Sequence, residues 1–321
     1  YKPSRTKYAI GFTNYGKDED ANVYNAKTKD ASINMPDAHN IEADKKIAFG
    51  SLKSKIATVI NAYNGHTGTI SLSATNGGNE YIGLVTGNNA YNSYNANGKI
   101  ELIVLGEYLR VKGMLAINES GTMYNAFGGE GTIDVQTTSE LFPSDAPYVA
   151  SIGMSGYNVI NATNGGTGNI KITSGGHSYG LASNTVGSSY YNNYGLVANA
   201  FSNDNTKSIG YITMIGKNPN TSHNSLFGLY GGSTMYNAFG NGAEGHITLT
   251  SDGSAFGIYG AYGKQTGRDY TLIIANGANG GKGYITINSS TDLSHNDCSN
   301  GYCSIGTFGG IENGYNAING G

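Results

Sequence analysis

The chain contains no tryptophan, 5 prolines and 2 cysteines among 321 residues, and only 13% of its residues are charged. The scarcity of proline and the lack of a Gly-X-Y period exclude collagen, although there are 50 glycines. Low charge combined with 25 tyrosines excludes an intrinsically disordered chain. No apolar run approaches the ~18 residues that a membrane-spanning helix needs. The chain is therefore expected to fold, with its glycines serving turns and close packing.

The charge balance argues against a nucleic-acid partner. The chain has 19 basic and 22 acidic residues, a net charge of -3, and no basic stripe. Its densest basic cluster, Lys45, Lys46, Lys53 and Lys55, is interpreted as solvated surface. The sequence leads us to predict no cofactor, no metal site and no catalytic residue.

The two cysteines lie close together near the end of the chain. Four residues separate Cys298 from Cys303, and they include Asn300-Gly301, a pair typical of a tight turn. Such a turn brings two sulfurs within bridging distance, so the sequence predicts a small disulfide loop and an oxidising compartment. A zinc site needs more than two thiolates, and His295 is the only other nearby candidate.

An asparagine that follows a tyrosine, isoleucine or similar residue, and precedes alanine, recurs along most of the chain. Successive copies are 30 to 38 residues apart, except that the last interval spans two units with a degenerate copy near Ala275-Asn276. The spacing indicates about nine units. The asparagines are Asn25, Asn61, Asn95, Asn125, Asn161, Asn199, Asn237 and Asn316.

Two further marks follow each asparagine in a fixed order. The first is a short alternating strand that begins with glycine, as in Gly131-Thr-Ile133-Asp-Val135, and is typical of a half-buried strand. The second is a glycine between two larger residues, as in Ile152-Gly153-Met154. The strand mark supplies an expected core column of Ile70, Ile133, Ile170, Ile247 and Ile285.

Three short strands per unit in unchanged order predict an all-β fold, a right-handed parallel β-helix of about nine units. We expect each unit to be one coil with loops, although two shorter coils per unit would also fit its length. Residues 1–50 are the most divergent and most charged, so we expect a terminal cap or first coils there, followed by the repetitive helix over 51–321. The one helix-like stretch is 38–46.

The recurring asparagine predicts a structural ladder. Stacked coils would place the amides above one another, where each can bond its neighbours and satisfy polar groups that are otherwise buried without partners. A polar ligand-binding column would need exposed side chains, whereas alanine and an apolar residue flank nearly every copy.

The order Tyr-Asn-Ala, Gly-Thr-Ile-x-Leu and Phe-Gly-Leu resembles the repeats of bacterial autotransporter passenger domains over most of residues 51–321. The resemblance implies an extracellular protein of the Gram-negative cell surface, exported through the periplasm and often adhesive. The family's signal peptide and C-terminal translocator barrel are not in this sequence, as expected of a mature passenger fragment. A membrane contact would then require that absent barrel.

Two classes of function remain open. A structural or adhesive module would bind a host or matrix glycan or protein, or other copies of itself, through aromatic residues in or near loops. A polysaccharide hydrolase or lyase would need clustered carboxylates, yet the acidic residues, except Glu130 and Glu244, do not recur at one position of the unit. The candidate contact aromatics are Tyr91, Tyr94, Tyr190, Tyr191, Tyr194, Tyr259 and Tyr262.

Overall fold

The computed structural model describes residues 6–12, 22–51, 57–75, 80–106, 110–117, 121–138, 150–183, 195–216, 225–251, 253–260, 273–289, 304–308 and 313–318. In the first half of the chain the strands are β1 (Thr6–Phe12), β2 (Val23–Ala26), β3 (Ala31–Met35), β4 (Ala43–Gly50), β5 (Val59–Tyr63), β6 (Thr67–Thr75), β7 (Glu80–Thr86), β8 (Ala90–Leu105), β9 (Arg110–Ala116), β10 (Thr122–Thr138), β11 (Ala150–Gly156) and β12 (Asn158–Thr163). In the second half they are β13 (Thr167–Ser174), β14 (His177–Ser183), β15 (Leu196–Phe201), β16 (Ser208–Gly216), β17 (Ser225–Tyr230), β18 (Thr234–Phe239), β19 (Ala243–Ser251), β20 (Ser254–Tyr259), β21 (Ile273–Ala278), β22 (Lys282–Ser289), β23 (Ser304–Phe308) and β24 (Asn313–Ile318).

These strands form three parallel faces. The glycine face is a nine-stranded sheet in the order β1-β4-β7-β9-β11-β14-β17-β20-β23. A second, fifteen-stranded sheet contains two rows, because β8 and β10 are long enough to run through both. Its asparagine face is β2-β5-β8-β10-β12-β15-β18-β21-β24, and its isoleucine face is β3-β6-β8-β10-β13-β16-β19-β22.

The register shows that each repeat is one coil. Ile133 is the partner of Ile100 on one side and of Ile170 on the other, each one repeat away. All strand pairs in the described part of the chain are parallel, and each coil contributes one strand to each face. The chain is therefore an all-β parallel β-helix, as the sequence predicted. Coils 1 to 8 are numbered here by their isoleucine-face strands, from β3 to β22.

The divergent N-terminal segment supplies the first strands of all three faces. Ile33 is in register with Ile70 and Ile47 with Ile82, so β3 and β4 continue the coil pattern. The helix expected over 38–46 is wrong: only Ala38–Asn40 form a 3-10 turn, and β4 begins at Ala43. The reason is that pairing with β7 and burial of Ile47 outweigh the local helical pattern.

The predicted isoleucines lie on one inner wall. Each faces the same position in the next coil, and Ile133 and Ile170 are 0% and 1% exposed. The structure adds Ile100 and Ile212, which carry the same Gly-x-Ile pattern, whereas Ile285 is partly buried against the core. The whole column runs through Ile33, Ile70, Ile100, Ile133, Ile170, Ile212, Ile247 and Ile285.

The repeated glycine of the glycine face faces this isoleucine wall across the core. A Cβ at Gly153 would lie 2.7 Å from Cγ2 of Ile170 and 2.5 Å from the carbonyl oxygen of Gly180. Neither distance is tolerated, so the two walls approach as closely as they do only because one of them carries no side chain at this position.

Candidate functional site

Asparagine side chains form a continuous hydrogen-bonded series along the asparagine face. Nδ2 of Asn92 donates to Oδ1 of Asn125 at 2.8 Å, and Nδ2 of Asn125 donates to Oδ1 of Asn161 at the same distance. Equivalent bonds of 2.8–2.9 Å connect all other neighbours in the series. Its described members are Asn25, Asn61, Asn92, Asn125, Asn161, Asn199, Asn237 and Asn276.

Each asparagine also donates to the carbonyl of the residue at the glycine position of the Gly-x-Ile pattern in its own coil. Nδ2 of Asn61 donates to the Gly68 carbonyl at 2.8 Å, and the next six coils repeat this bond at 2.9–3.1 Å. Coil 1 has alanine at this position, and its bond from Asn25 to the Ala31 carbonyl is longer, 3.4 Å. Because the middle of the series is fully buried and its donors are bonded, its geometry is that of a structural support.

The prediction that Asn95 belongs to this series is wrong, because Asn92 occupies the position. Tyr91 pairs with Ile60 and Ser93 with Ala62, which places Asn92 level with Asn61. Asn95 instead lies inside β8 with φ 48°, between the segment that pairs with β5 and the segment that pairs with β6, and Asn64 has a similar φ of 47°. Asparagine tolerates this left-handed conformation better than most residues. Asn316 lies in β24, but its side chain is outside the described residues.

Two of the predicted contact aromatics, Tyr91 and Tyr94, belong to a packed cluster on the outside of the asparagine face. Tyr91 stacks on Tyr124 with ring centroids 4.8 Å apart, and Tyr94 stacks on Phe127 at 5.1 Å. Edge-to-face contacts join the two stacks, as between Tyr91 and Tyr94 at 5.2 Å. Burial, together with the Tyr124 and Tyr94 phenols, raises the pKa of Tyr91 to about 12. These ring faces are occupied by neighbours and are not open to a ligand.

Tyr259 is in a second cluster, on the glycine face, where it stacks on Tyr230 at 5.6 Å and meets Phe256 edge to face at 5.1 Å. The remaining predicted aromatics and both cysteines lie outside the described residues. They are Tyr190, Tyr191, Tyr194, Tyr262, Cys298 and Cys303. The disulfide therefore remains a prediction.

The outer side of the isoleucine face carries two exposed aromatic residues, Tyr211 and Tyr284, that sequence reasoning missed. Tyr211 and Tyr284 are 37% and 48% exposed, and the His246 ring stacks between them at 4.9 and 4.8 Å. Nε2 of His246 lies 2.8 Å from Oε1 of Glu244, which fixes the ring. These residues alternate with the buried isoleucines, so strand periodicity was the signal that could have found them.

The acidic residues are also arranged differently from the prediction. Glu101 and Asp134 occupy the same position of adjacent coils on the outer isoleucine face, which the sequence interpretation had overlooked. Each has a neighbour on its own strand: Lys99 Nζ lies 3.2 Å from Glu101, and Gln136 Nε2 lies 3.5 Å from the Asp134 carboxylate. Within the described ranges, no three His, Cys, Asp or Glu residues lie close enough together to hold a metal ion.

A largely buried ion cluster interrupts the apolar outer side of the glycine face. Lys112 replaces the isoleucine found at its register partners Ile82 and Ile152. Its Nζ lies 2.7 Å from Oε1 of Glu80, and Lys45 Nζ lies 2.8 Å from Oε2. The Glu80 and Lys112 side chains are only 10% and 7% exposed.

Burial and the ion pairs act in opposite directions on this cluster. Burial would raise the pKa of Glu80, but the charges and hydrogen bonds of Lys112 and Lys45 outweigh it and hold that pKa below its ordinary value. For Lys112, burial is the largest influence and lowers the pKa, with Glu80 opposing it and the charges of Lys45 and Arg110 adding to it. The cluster connects coils 1, 2 and 3.

No family model, curated protein or solved structure matched the chain in comparisons with known proteins. None of the helical residues that the structure describes forms a segment long and apolar enough to cross a membrane. The resemblance to autotransporter passenger repeats thus depends on the repeat itself.

Proposed function

We propose that this chain is a structural and adhesive module of the bacterial cell surface, in which the outer isoleucine face makes the contacts. One observation carries the proposal: the eight parallel strands of the isoleucine face expose Tyr211 and Tyr284 beside columns of threonine. Exposed aromatic residues on such a surface are typical of contact sites. The extracellular location and the likeness to autotransporter passengers belong to the same proposal, supported by the repeat.

Rigidity supports this assignment. The asparagine series and the isoleucine column hold every coil in one register, so the outer side chains are presented at a constant spacing of about 4.8 Å. A surface of this kind binds a partner without first having to be ordered, which lowers the entropic cost of association. The partner classes are a glycan or protein of a host or matrix, and other copies of the chain.

The proposal is tested with a face variant and a matched control. Tyr211→Ser combined with Tyr284→Ser should weaken clumping of protein-coated beads, or binding to a glycan array, by about tenfold, since aromatic contact residues carry much of an interface's energy. Ile117→Ser is the control, because Ile117 is equally exposed, at 39%, and follows β9 of the glycine face. Equal effects of both variants would overturn the choice of face.

A polysaccharide hydrolase or lyase is the second candidate. Only the adjacency of Glu101 and Asp134 favours it, since paired carboxylates are what glycoside cleavage uses. A screen of acidic and neutral glycans for released reducing ends decides between the two. Release that is abolished by Glu101→Gln would select the enzyme, whereas binding without release selects the adhesive module.

A further inference from the structure

Charged residues are distributed unevenly over the coils of the outer isoleucine face. Among the described residues, coil 4 carries Glu130 and Asp134 without a cation, and coil 5 carries Lys171 without an anion. Coil 1 carries Asp30, which directly precedes β3, and coil 8 carries Lys282 at the corresponding register position, where it is the first residue of β22. The charges of coils 4 and 5, at the centre of the face, are therefore opposite in sign, and so are the charges of coils 1 and 8 at its two ends.

We propose that a second copy of this chain packs on this face in the antiparallel direction. The two-fold axis lies in the plane of contact between the two copies, at the level midway between β10 and β13. It runs along the strands and is therefore perpendicular to the stacking direction of the coils. Coil 4 of one copy then faces coil 5 of the other, and coil 1 faces coil 8. The inference depends on the proposed function, because it names the partner of the proposed contact face.

This arrangement brings opposite charges together at its centre and at both ends. Asp134 faces Lys171 of the second copy at the centre, and each occurs twice because the contact is isologous. Asp30 faces Lys282 of the second copy at each end. No two like charges of the described face oppose each other, so the face is complementary to itself.

Uncharged positions match in the same register. Coil 3 faces coil 6, which sets the exposed Ile103 against Ile215 and the exposed Lys99 against the ring of Tyr211. The first contact buries apolar surface on both copies, and the second is a cation–π arrangement. Both copies have the same coil spacing, so successive side chains meet in step along the interface.

Other registers are less favourable. A slip of one coil places Asp134 opposite Asp134 of the second copy, or Lys171 opposite Lys171. In a parallel arrangement each coil faces the same coil of the second copy. Coils 4 and 5 each carry charge of only one sign, so no shift along the strands brings opposite charges together there. The charge pattern therefore selects both the direction and the register.

The size of the face is sufficient for a stable contact. Eight strands spaced about 4.8 Å apart, with about seven residues of ~3.3 Å each, cover about 900 Å². A standard protein–protein interface buries about 800 Å² per partner.

The test uses charge reversal at the two ends. Asp30→Lys alone puts lysine against Lys282, and Lys282→Asp alone puts aspartate against Asp30, so each variant should dimerise on the order of tenfold more weakly in sedimentation equilibrium. An equimolar mixture should recover the affinity, because both end contacts become attractive in the heterodimer. Coils 1 and 8 are about 34 Å apart within one chain, so only contacts between chains explain recovery.

Asp44→Lys, an exposed reversal on the glycine-face strand β4, serves as the control and should leave dimerisation unchanged alone and in mixtures. Thermal unfolding of every variant separates loss of folding from loss of association. The outcome that would overturn the antiparallel register alone has two parts. The Tyr211 and Tyr284 variant weakens dimerisation, but the equimolar mixture of Asp30→Lys and Lys282→Asp does not recover it. The proposed function would then stand. A chain that stays monomeric at high concentration and still binds a glycan overturns this inference alone; one that binds nothing overturns both.

Discussion

Asn125 and Gly131 are joined by a hydrogen bond at a separation that leaves no room for a side chain at Gly131. Nδ2 of Asn125 donates to the Gly131 carbonyl at 2.9 Å, while a Cβ on Gly131 would lie 2.7 Å from the Asn125 Oδ1. The amide approaches the carbonyl most closely where the partner lacks a side chain, and the bond lengthens to 3.4 Å where Ala31 takes the glycine's place. The repeat's asparagine and the glycine of the isoleucine face are one structural unit, although several residues separate them in sequence.

Replacing Gly131 with alanine should destabilise the protein by about 1–3 kcal/mol, the range typical of overpacking. The added methyl must displace the Asn125 backbone or amide, both of which are held by the neighbouring coils. The measurement is the free energy of unfolding in urea. Ala31→Gly is the reverse control in coil 1, where the bond from Asn25 is already 3.4 Å long, and it should change stability by less than about 1 kcal/mol.

The choice between Asn92 and Asn95 gives a second test. Asn92→Ala leaves the Oδ1 of buried Asn125 without its donor, while the Nδ2 of Asn61 loses its bond to Asn92 and keeps its bond to the Gly68 carbonyl. An unsatisfied buried acceptor costs about 1–3 kcal/mol and a lost hydrogen bond about 1 kcal/mol, so we expect a loss of about 2–4 kcal/mol. Asn95→Gly keeps a residue that accepts φ 48° and should be nearly neutral. Equal losses in the two variants would contradict the assigned series.

The error over Asn95 shows how far the repeat could be interpreted. Tyr-Asn-Ala at 94–96 fits the triplet better than Tyr-Asn-Ser at 91–93, so similarity of letters favoured the wrong residue. The distance to the next glycine was the better signal: Gly98 follows Asn92 by six residues, as Gly131 follows Asn125. The same Gly-x-Ile pattern would also have added Ile100 and Ile212 to the core column.

Other features could not be predicted from the sequence. Strand periodicity and the fixed order of the repeated motifs were sufficient to predict the fold, because stacking repeats the same contacts in every coil. Glu80 and Lys112 meet because β7 and β9 are neighbours, whereas the sequence just before each of these strands carries no repeat from which that pairing could be predicted. The outer isoleucine face was not predicted because the candidate contact aromatics were sought in or near loops, whereas Tyr211 lies within a strand.

The buried ion pair should behave differently when one or both partners are replaced. Lys112→Met leaves Glu80 as a largely buried carboxylate that has lost its closest partner, and we expect a loss of about 3 kcal/mol. Combining it with Glu80→Gln should return the free energy of unfolding to within about 1 kcal/mol of the wild type, since Ile82 and Ile152 flank the position with apolar surface. Lys45→Met is the control and should cost less, because its side chain is 36% exposed. An unrecovered double variant would contradict the pairing.

The same pair predicts how stability depends on pH in acid. The pKa of Glu80 is below its ordinary value of 4.5 in the folded chain, so between those two values the unfolded chain binds more protons. The contribution of Glu80 is therefore complete above about pH 4.5 and is lost as the pH falls through its folded pKa. The pKa of Lys112 is lowered from its ordinary value of 10.5, so between its folded pKa and 10.5 the unfolded chain binds the extra proton and stability rises with pH. Midpoints of thermal unfolding measured from pH 7 to pH 3 should fall more steeply below pH 4.5 for the wild type than for the double variant Glu80→Gln and Lys112→Met. If the two acid curves run parallel, the Glu80 carboxylate does not contribute in the way its contacts indicate.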